Sequence, residues 1–434
     1  MWLNPNHRHV RLLRTLSRRW QRRLIFTGGA LVVGVAAVGL ARAADMAMHD
    51  FQQILRHAPY IAVVLTPLGF GLIAWMTARY FPNTGGSGIP QAIAARGLKT
   101  PEERSRLVSL RAAIGKILMT LLGLLVGGSI GREGPTVQVG ASLMFEIGRL
   151  TPKRQPGLIL AGAAAGVAAA FNTPLAGIVF AIEEISRSFE VRTSGLIIGA
   201  VIIGGLTSLA ILGDYTYFGS TAAMLGSFTD WLCVPLCGVV GGVFGGCFSR
   251  ILIEVPRHMP GRIGAWMKQS PFLFAAGCGL GVAICGYLSG DTVWGTGYAQ
   301  ARGLVHGVNH LGWQFTPLKF VATVLSSISG VPGGIFSPSL SVGAGFGADV
   351  ARLFPSAPLG AIVLIGMVSY FAGVVQAPIT SFVIVSEMVD NHQMLVPLMA
   401  AALIATACSK LVCREGVYHA LSTRYLEVAK NQPS

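Results

Sequence analysis

The stretch "LLVGGSIGREGPTVQVGASL", residues 124–143, decides how the chain reads. Asp, Glu, Lys and Arg make up only 12% of the 434 residues, yet Arg132 and Glu133 stand side by side in this apolar, glycine-rich run. Gly131 precedes the pair and Pro135 follows it. Proline is tolerated in a helix's first turn, where the amide it lacks would be unpaired anyway. Glycine just before it permits an unusual backbone turn and close approach of other groups. "GREGP" therefore predicts a helix entered from non-helical chain in the middle of an apolar region.

The rest of the chain says what that region is. Hydrophobic residues reach 52%, and the mean hydropathy is +0.61, too apolar for a domain with a polar surface. Apolar stretches near or above ~18 residues, the length of a spanning helix, recur from end to end. They fall at 24–41, 60–77, 114–130, 158–182, 196–213, 272–288 and 361–385. The expectation is an all-α polytopic membrane protein; a β-barrel would show short alternating segments. The net charge of +15 is placed unevenly. Arg8, Arg11, Arg14, Arg18, Arg19, Arg22 and Arg23 all precede the first apolar run, which keeps that end in the cytoplasm. Ahead of a span, such a basic segment orients the chain and touches anionic lipid rather than nucleic acid. With "ARA" at 41–43 it also imitates a secretory signal, but the apolar run is long for a signal core, so a retained first helix is expected. Seven cysteines form no CxxC pair and nine histidines no HExxH, so buried thiols are expected and no catalytic metal or cofactor.

Internal repetition gives the organisation. "GREGPTVQVGAS" (131–142) and "GIFSPSLSVGAG" (334–345) both read Gly-x-x-x-Pro, with Val-Gly-Ala at the same distance beyond the proline. "NTPLAGIVFAIEE" (172–184) and "QAPITSFVIVSEM" (376–388) place Pro174 and Glu183 at the spacing of Pro378 and Glu387. "GSGIPQ" (86–91) and "GTGYAQ" (295–300) fall in the same order. The three offsets lie close to ~205 residues, so the chain is a tandem of two related halves, about 45–213 and 229–413. The polar, aromatic stretch "DYTYFGSTAAMLGSFTD" links them as a loop. These spacings fit parallel or inverted halves; broken helices at matching positions are commoner in inverted-repeat transporters, whose sites lie near the membrane midplane.

Within a membrane, free amides at a helix start must be satisfied by protein, trapped water or a ligand. Their partial positive charge makes an anion site without a fixed cation. A charged lysine there would hold an anion too tightly to release it, whereas amides hold it moderately. Glu133 then has two readings. It is either an ordinary capping acid paired with Arg132, or an ionisable group that occupies the anion's place when charged and swings away when protonated. An ionisable residue inside an apolar run points to function.

"GSGIP" (86–90), "GREGP" (131–135) and "GIFSP" (334–338) resemble, in order and spacing, the three signature motifs of the CLC family of chloride channels and chloride/proton antiporters. Tyr418 in "REGVYHAL" matches the tyrosine expected near the end. The resemblance covers essentially the whole chain. It implies a CLC-type bundle of tilted and broken helices in two inverted repeats, assembled as a homodimer with one anion pathway per subunit. The Ser87 side chain, the Tyr418 hydroxyl and the backbone amides of Ile335 and Phe336 would bind chloride. Glu133 would be the external gate and proton acceptor, and Glu184 the internal proton-transfer residue. Glu183, echoed by Glu387, would be a structural remnant of the repeat. An acid at Glu184 favours coupled exchange over a passive, voltage- or pH-gated channel on the same fold, and Ser87 favours chloride over nitrate.

One departure concerns Lys116: relatives often follow the first motif with an acid, and here Gln91 stands in its place. The resemblance thus implies a compact, bacterial-type, multi-pass protein of the inner membrane: a basic cytoplasmic segment (1–23), one transmembrane domain (24–428) and a short tail (429–434). Its partners would be chloride, protons, lipid and a second copy. An intramembrane enzyme would need a nucleophile–base pair or metal ligands in the spans, and the sequence offers neither.

Overall fold

The computed structural model describes residues 5–149, 154–186, 191–213, 215–258, 269–308 and 310–431. Among them, seven segments are long and apolar enough to cross a bilayer: Arg23–His57, Ala62–Tyr80, Pro101–Leu125, Gly195–Leu212, Phe228–Arg257, Pro271–Leu288 and Leu395–Val412. The basic N-terminal stretch is helical from Pro5 and runs unbroken into the first span, to His57. The side chains of Arg8, Arg11, Arg14, Arg18, Arg19 and Arg22 lie outside the described residues, as do residues 432–434 of the tail.

The Leu110–Leu125 helix shows how each span is sorted. Leu110, Ile114 and Leu118 recur every fourth residue and are exposed, which places them on one lipid-facing stripe. The opposite face buries Ala112, Gly115, Lys116, Met119, Thr120 and Gly123. In lipid, helices gain little from burying apolar surface against one another, so association rests on close packing of small residues and on polar ties. The Glu133–Gly148 and Gln155–Phe171 helices cross at Gly140 and Gly162, where a Cβ on either would collide with the other's carbonyl. The Phe336–Ala351 and Leu359–Val375 helices cross the same way at Gly343 and Gly366.

The apolar runs at 158–182 and 361–385, expected to be spanning helices, are each broken. Asn172 (φ 55) ends Gln155–Phe171 and is followed by the helix Pro174–Phe180 and a π-helical turn, Ala181–Ser186. Gln376 (φ 58) ends Leu359–Val375 ahead of Pro378–Val389. A left-handed residue closes a helix, and a proline two positions on cannot continue it. The breaks are stabilised by side-chain amides: Asn172 donates to the Tyr215 carbonyl at 2.8 Å, and Gln376 to the Cys413 carbonyl at 2.6 Å.

The halves meet through equivalent residues. The Gly131 amide donates to the Gly334 carbonyl at 2.6 Å, and the Gly334 amide returns the bond to Gly131 at 2.7 Å, as an antiparallel bridge. Glu183 accepts from the Ile379 and Thr380 amides at 3.1 and 2.6 Å, at the start of Pro378–Val389. Glu387 accepts from the Leu175 and Ala176 amides at 3.1 and 2.7 Å, at the start of Pro174–Phe180. Reciprocal contacts of this kind require a two-fold relation between the halves. The bundle is a pair of repeats related by a two-fold, and Glu183 caps a helix of the opposite half.

Candidate anion pathway and gate

Three helices begin at one place. Ile89–Gly97 is entered through Gly88, whose φ of 102° is a left-handed conformation that favours glycine. Glu133–Gly148 and Phe336–Ala351 begin after the bridge between Gly131 and Gly334. None of the three starts has a side-chain cap, so each presents first-turn amides that no intrahelical carbonyl can reach. The Gly86 carbonyl accepts from the Gly333 amide at 3.0 Å, which ties the first motif to the third. A Cβ on Gly134 would stand 2.7 Å from the Ser87 carbonyl and 3.2 Å from Gly334 Cα. The three loops therefore lie in backbone contact, and only glycine fits between them.

Two buried lysines hold loops at this level. Lys116 Nζ donates to the carbonyls of Thr84 and Gly86, at 2.5 and 2.8 Å. Lys319 Nζ donates to the carbonyls of Val293 and Gly295, both at 2.8 Å. The partners of Lys116 are thus backbone carbonyls of the first motif's loop. Gln91, in the acid's place, ties down the same loop by donating to the Gly85 carbonyl at 2.6 Å.

Glu133 opens its helix and is 1% exposed. Its Oε1 accepts from Ser337 Oγ at 2.6 Å and from the Tyr217 hydroxyl at 3.4 Å, while Oε2 has no hydrogen-bond partner among the described residues. Arg132 is turned away from it. The guanidinium donates to the Ala41 carbonyl at 2.6 Å and pairs with Asp45 of the first helix at 2.5 Å. The reading of Glu133 as a cap paired with Arg132 is therefore set aside: the carboxylate sits against the opposite half's helix start, held by hydroxyls.

Ser87 and Tyr418 come together. Both are buried, and Ser87 Oγ and the Tyr418 hydroxyl lie close without a well-formed hydrogen bond. Tyr418 sits in the first turn of the Val417–Asn431 helix, within electrostatic reach of both Glu184 and Glu133. Ile335 and Phe336 are the N-cap and first residue of their helix, which places their amides at its open end. Glu184 is 3% exposed and lies in the π-helical turn, a departure from α geometry frequent at functional sites. The His419 ring is hydrogen-bonded to the Glu184 carbonyl at 2.7 Å. Glu183, one residue earlier, points to the partner half instead. Ser87, Glu133, Glu184, Ile335, Phe336 and Tyr418 are thus brought to one buried region. Sequence reasoning missed Tyr217, Ser337 and Lys319. Lys319 alone carried a signal, standing 203 residues after Lys116, the offset of the main repeat.

The family model described as voltage-gated chloride channel matches residues 69–410. The H(+)/Cl(-) exchange transporter ClcA of Yersinia pestis bv. Antiqua (strain Angola) is 34% identical over 96% of this chain and 91% of its own length. The transporter of that name from Yersinia pseudotuberculosis serotype O:3 (strain YPIII) matches equally. A slow cyanobacterial Cl-/H+ antiporter is similar in structure, with a TM-score of 0.79, 25% identity, and coverage of 93% of this chain and 97% of that one. A CLC-type fluoride/proton antiporter shares the fold at a TM-score of 0.78 and 21% identity, over 92% and 96% of the two chains. With its three motifs meeting at one buried point and the family model matching most of its length, the chain belongs to the voltage-gated chloride channel family.

Proposed function

We propose that the protein exchanges chloride for protons across the bacterial inner membrane, as a homodimer with one pathway in each subunit and its N-terminus in the cytoplasm. The observation that carries this reading is the seat of Glu133: a buried carboxylate beside uncapped helix starts, held by hydroxyls, with its neighbouring arginine committed elsewhere. Helix-start amides attract an anion without the tight hold of a fixed cation. The charged carboxylate stands where chloride would pass; protonated, it is released and the way opens. Ser87, Tyr418 and the amides of Ile335 and Phe336 bind the central chloride. Glu184 receives protons from the inner side and Glu133 from the outer side. The names of the relatives support proton-coupled exchange of chloride.

Reconstituted vesicles test it. An imposed chloride gradient is expected to drive protons uphill, and Glu184→Val to stop that proton flux while chloride still moves. Chloride flux without uphill protons in the unaltered protein would make it a passive channel on the same fold.

A further inference from the structure

We infer that Tyr217 is a positioning residue for the gate: its hydroxyl, with that of Ser337, forms the seat that holds the charged Glu133 carboxylate and sets the pH at which the seat is vacated. This rests on Glu133 being the gate. The two hydroxyls come from different parts of the chain. Ser337 opens the second half's Phe336–Ala351 helix, and Tyr217 belongs to the link between the halves. They meet at one carboxylate oxygen, at 2.6 and 3.4 Å, and lie 3.5 Å from each other.

Tyr217 is 2% exposed and fixed in direction. Its ring packs edge-on against Phe171, Phe218 and Tyr298, with centroids 5.3, 4.9 and 5.0 Å away. The Tyr298 hydroxyl donates to the Tyr217 carbonyl at 2.7 Å, and the Phe218 amide to the Met388 carbonyl at 2.9 Å. The link is thereby pinned to the second half with the hydroxyl facing the gate. A hydroxyl donating to a carboxylate favours its charged form. The other charged or titratable groups around Glu133 are accounted for. Arg132, though paired with Asp45, and Tyr418, close to Ser87, both act on Glu133 electrostatically and are unchanged in every variant below, while Lys116 is bound to two carbonyls. The Gln155–Phe171 helix carries no titratable residue.

The test is chloride turnover against pH in vesicles for the unaltered protein, Tyr217→Phe, Ser337→Ala, Glu133→Gln and the double variant Tyr217→Phe/Glu133→Gln. Each profile is normalised to its acidic plateau, where the gate is protonated in every variant. Phenylalanine keeps the ring packing and removes only the donor. Its profile is expected to move to higher pH by about 0.5 unit, a roughly threefold easier protonation, and that of Ser337→Ala by about one unit. In the Glu133→Gln background, Tyr217→Phe is expected to change nothing. The proposal is overturned if the Tyr217→Phe profile superimposes on that of the unaltered protein, or if its shift persists in the Glu133→Gln background. A Glu133→Gln protein that keeps its pH dependence and proton coupling would overturn the gate reading itself, and the proposal with it.

Discussion

Glu133 is an ionisable residue where the bilayer disfavours charge, and its surroundings explain why it is tolerated. It opens a helix, whose amide dipoles favour negative charge, and two hydroxyls receive it. Glutamine at this position keeps the size and loses the charge. Glu133→Gln is therefore expected to give chloride flux that no longer responds to external pH and no longer carries protons, read as parallel chloride and proton traces from the same vesicles. Gly134, the next residue, carries a different constraint. A Cβ there would overlap Ser87 Oγ and stand 2.7 Å from the Ser87 carbonyl, so the first and second motifs would have to part. Overpacking of this kind costs about 1–3 kcal/mol. Gly134→Ala is expected to lower the thermal unfolding temperature in detergent and weaken chloride binding together. A variant that binds chloride normally would show that the loops separate without disturbing the site.

At the scale of elements, adjacent glutamates meet different surroundings because the turn that carries them sends them different ways. Glu183 reaches across the two-fold relation to the opening amides of Pro378–Val389, and Glu387 answers at Pro174–Phe180. Hydrogen bonds to a charged group contribute about 1.5–3 kcal/mol each in favourable cases. Glu183→Ala and Glu387→Ala are each expected to cost about 2 kcal/mol in an unfolding titration, with proton coupling intact in Glu183→Ala. Loss of coupling in Glu183→Ala at unchanged stability would move the proton role one residue back along the chain. The repeat spacing made Glu183 legible as structural, since Glu387 occupies the same place in the second half. The breaks at Asn172 and Gln376 were not legible in the same way. Each lies in a run whose composition stays apolar on both sides, and hydropathy averages over a single left-handed residue.

Across the whole molecule, the scaffold is present twice and the chemistry once. The bridging glycines Gly131 and Gly334, the helix-ending Asn172 and Gln376, the capping Glu183 and Glu387, and the loop-holding Lys116 and Lys319 all have counterparts. Where the first half has Glu133 and Glu184, the second has Phe336 and Met388. The counterpart of Ser87 is Thr296, whose hydroxyl accepts from the Tyr298 amide at 3.3 Å and so is spent on its own turn. Paired motifs therefore made the architecture legible in the sequence, and the acids that only one half carries marked most of the candidate site. Tyr217 escaped because it lies in the link, which no repeat covers. The role of Lys116 escaped because its partners are carbonyls, which every residue carries, so no side-chain pattern marks them. The two lysines test this division. Methionine at either position fills the stem's space but leaves two buried carbonyls without a donor, at about 1–3 kcal/mol each. Lys116→Met and Lys319→Met are thus expected to lower stability by similar amounts. Of the two lysines, Lys116 alone holds the loop carrying Ser87, the proposed chloride ligand, so only Lys116→Met should weaken chloride binding; a loss of about 1.4 kcal/mol there reads as about tenfold in calorimetry. Equal weakening by Lys319→Met would mean that the lysines act on chloride through the packing of the bundle and not through the loop each one holds.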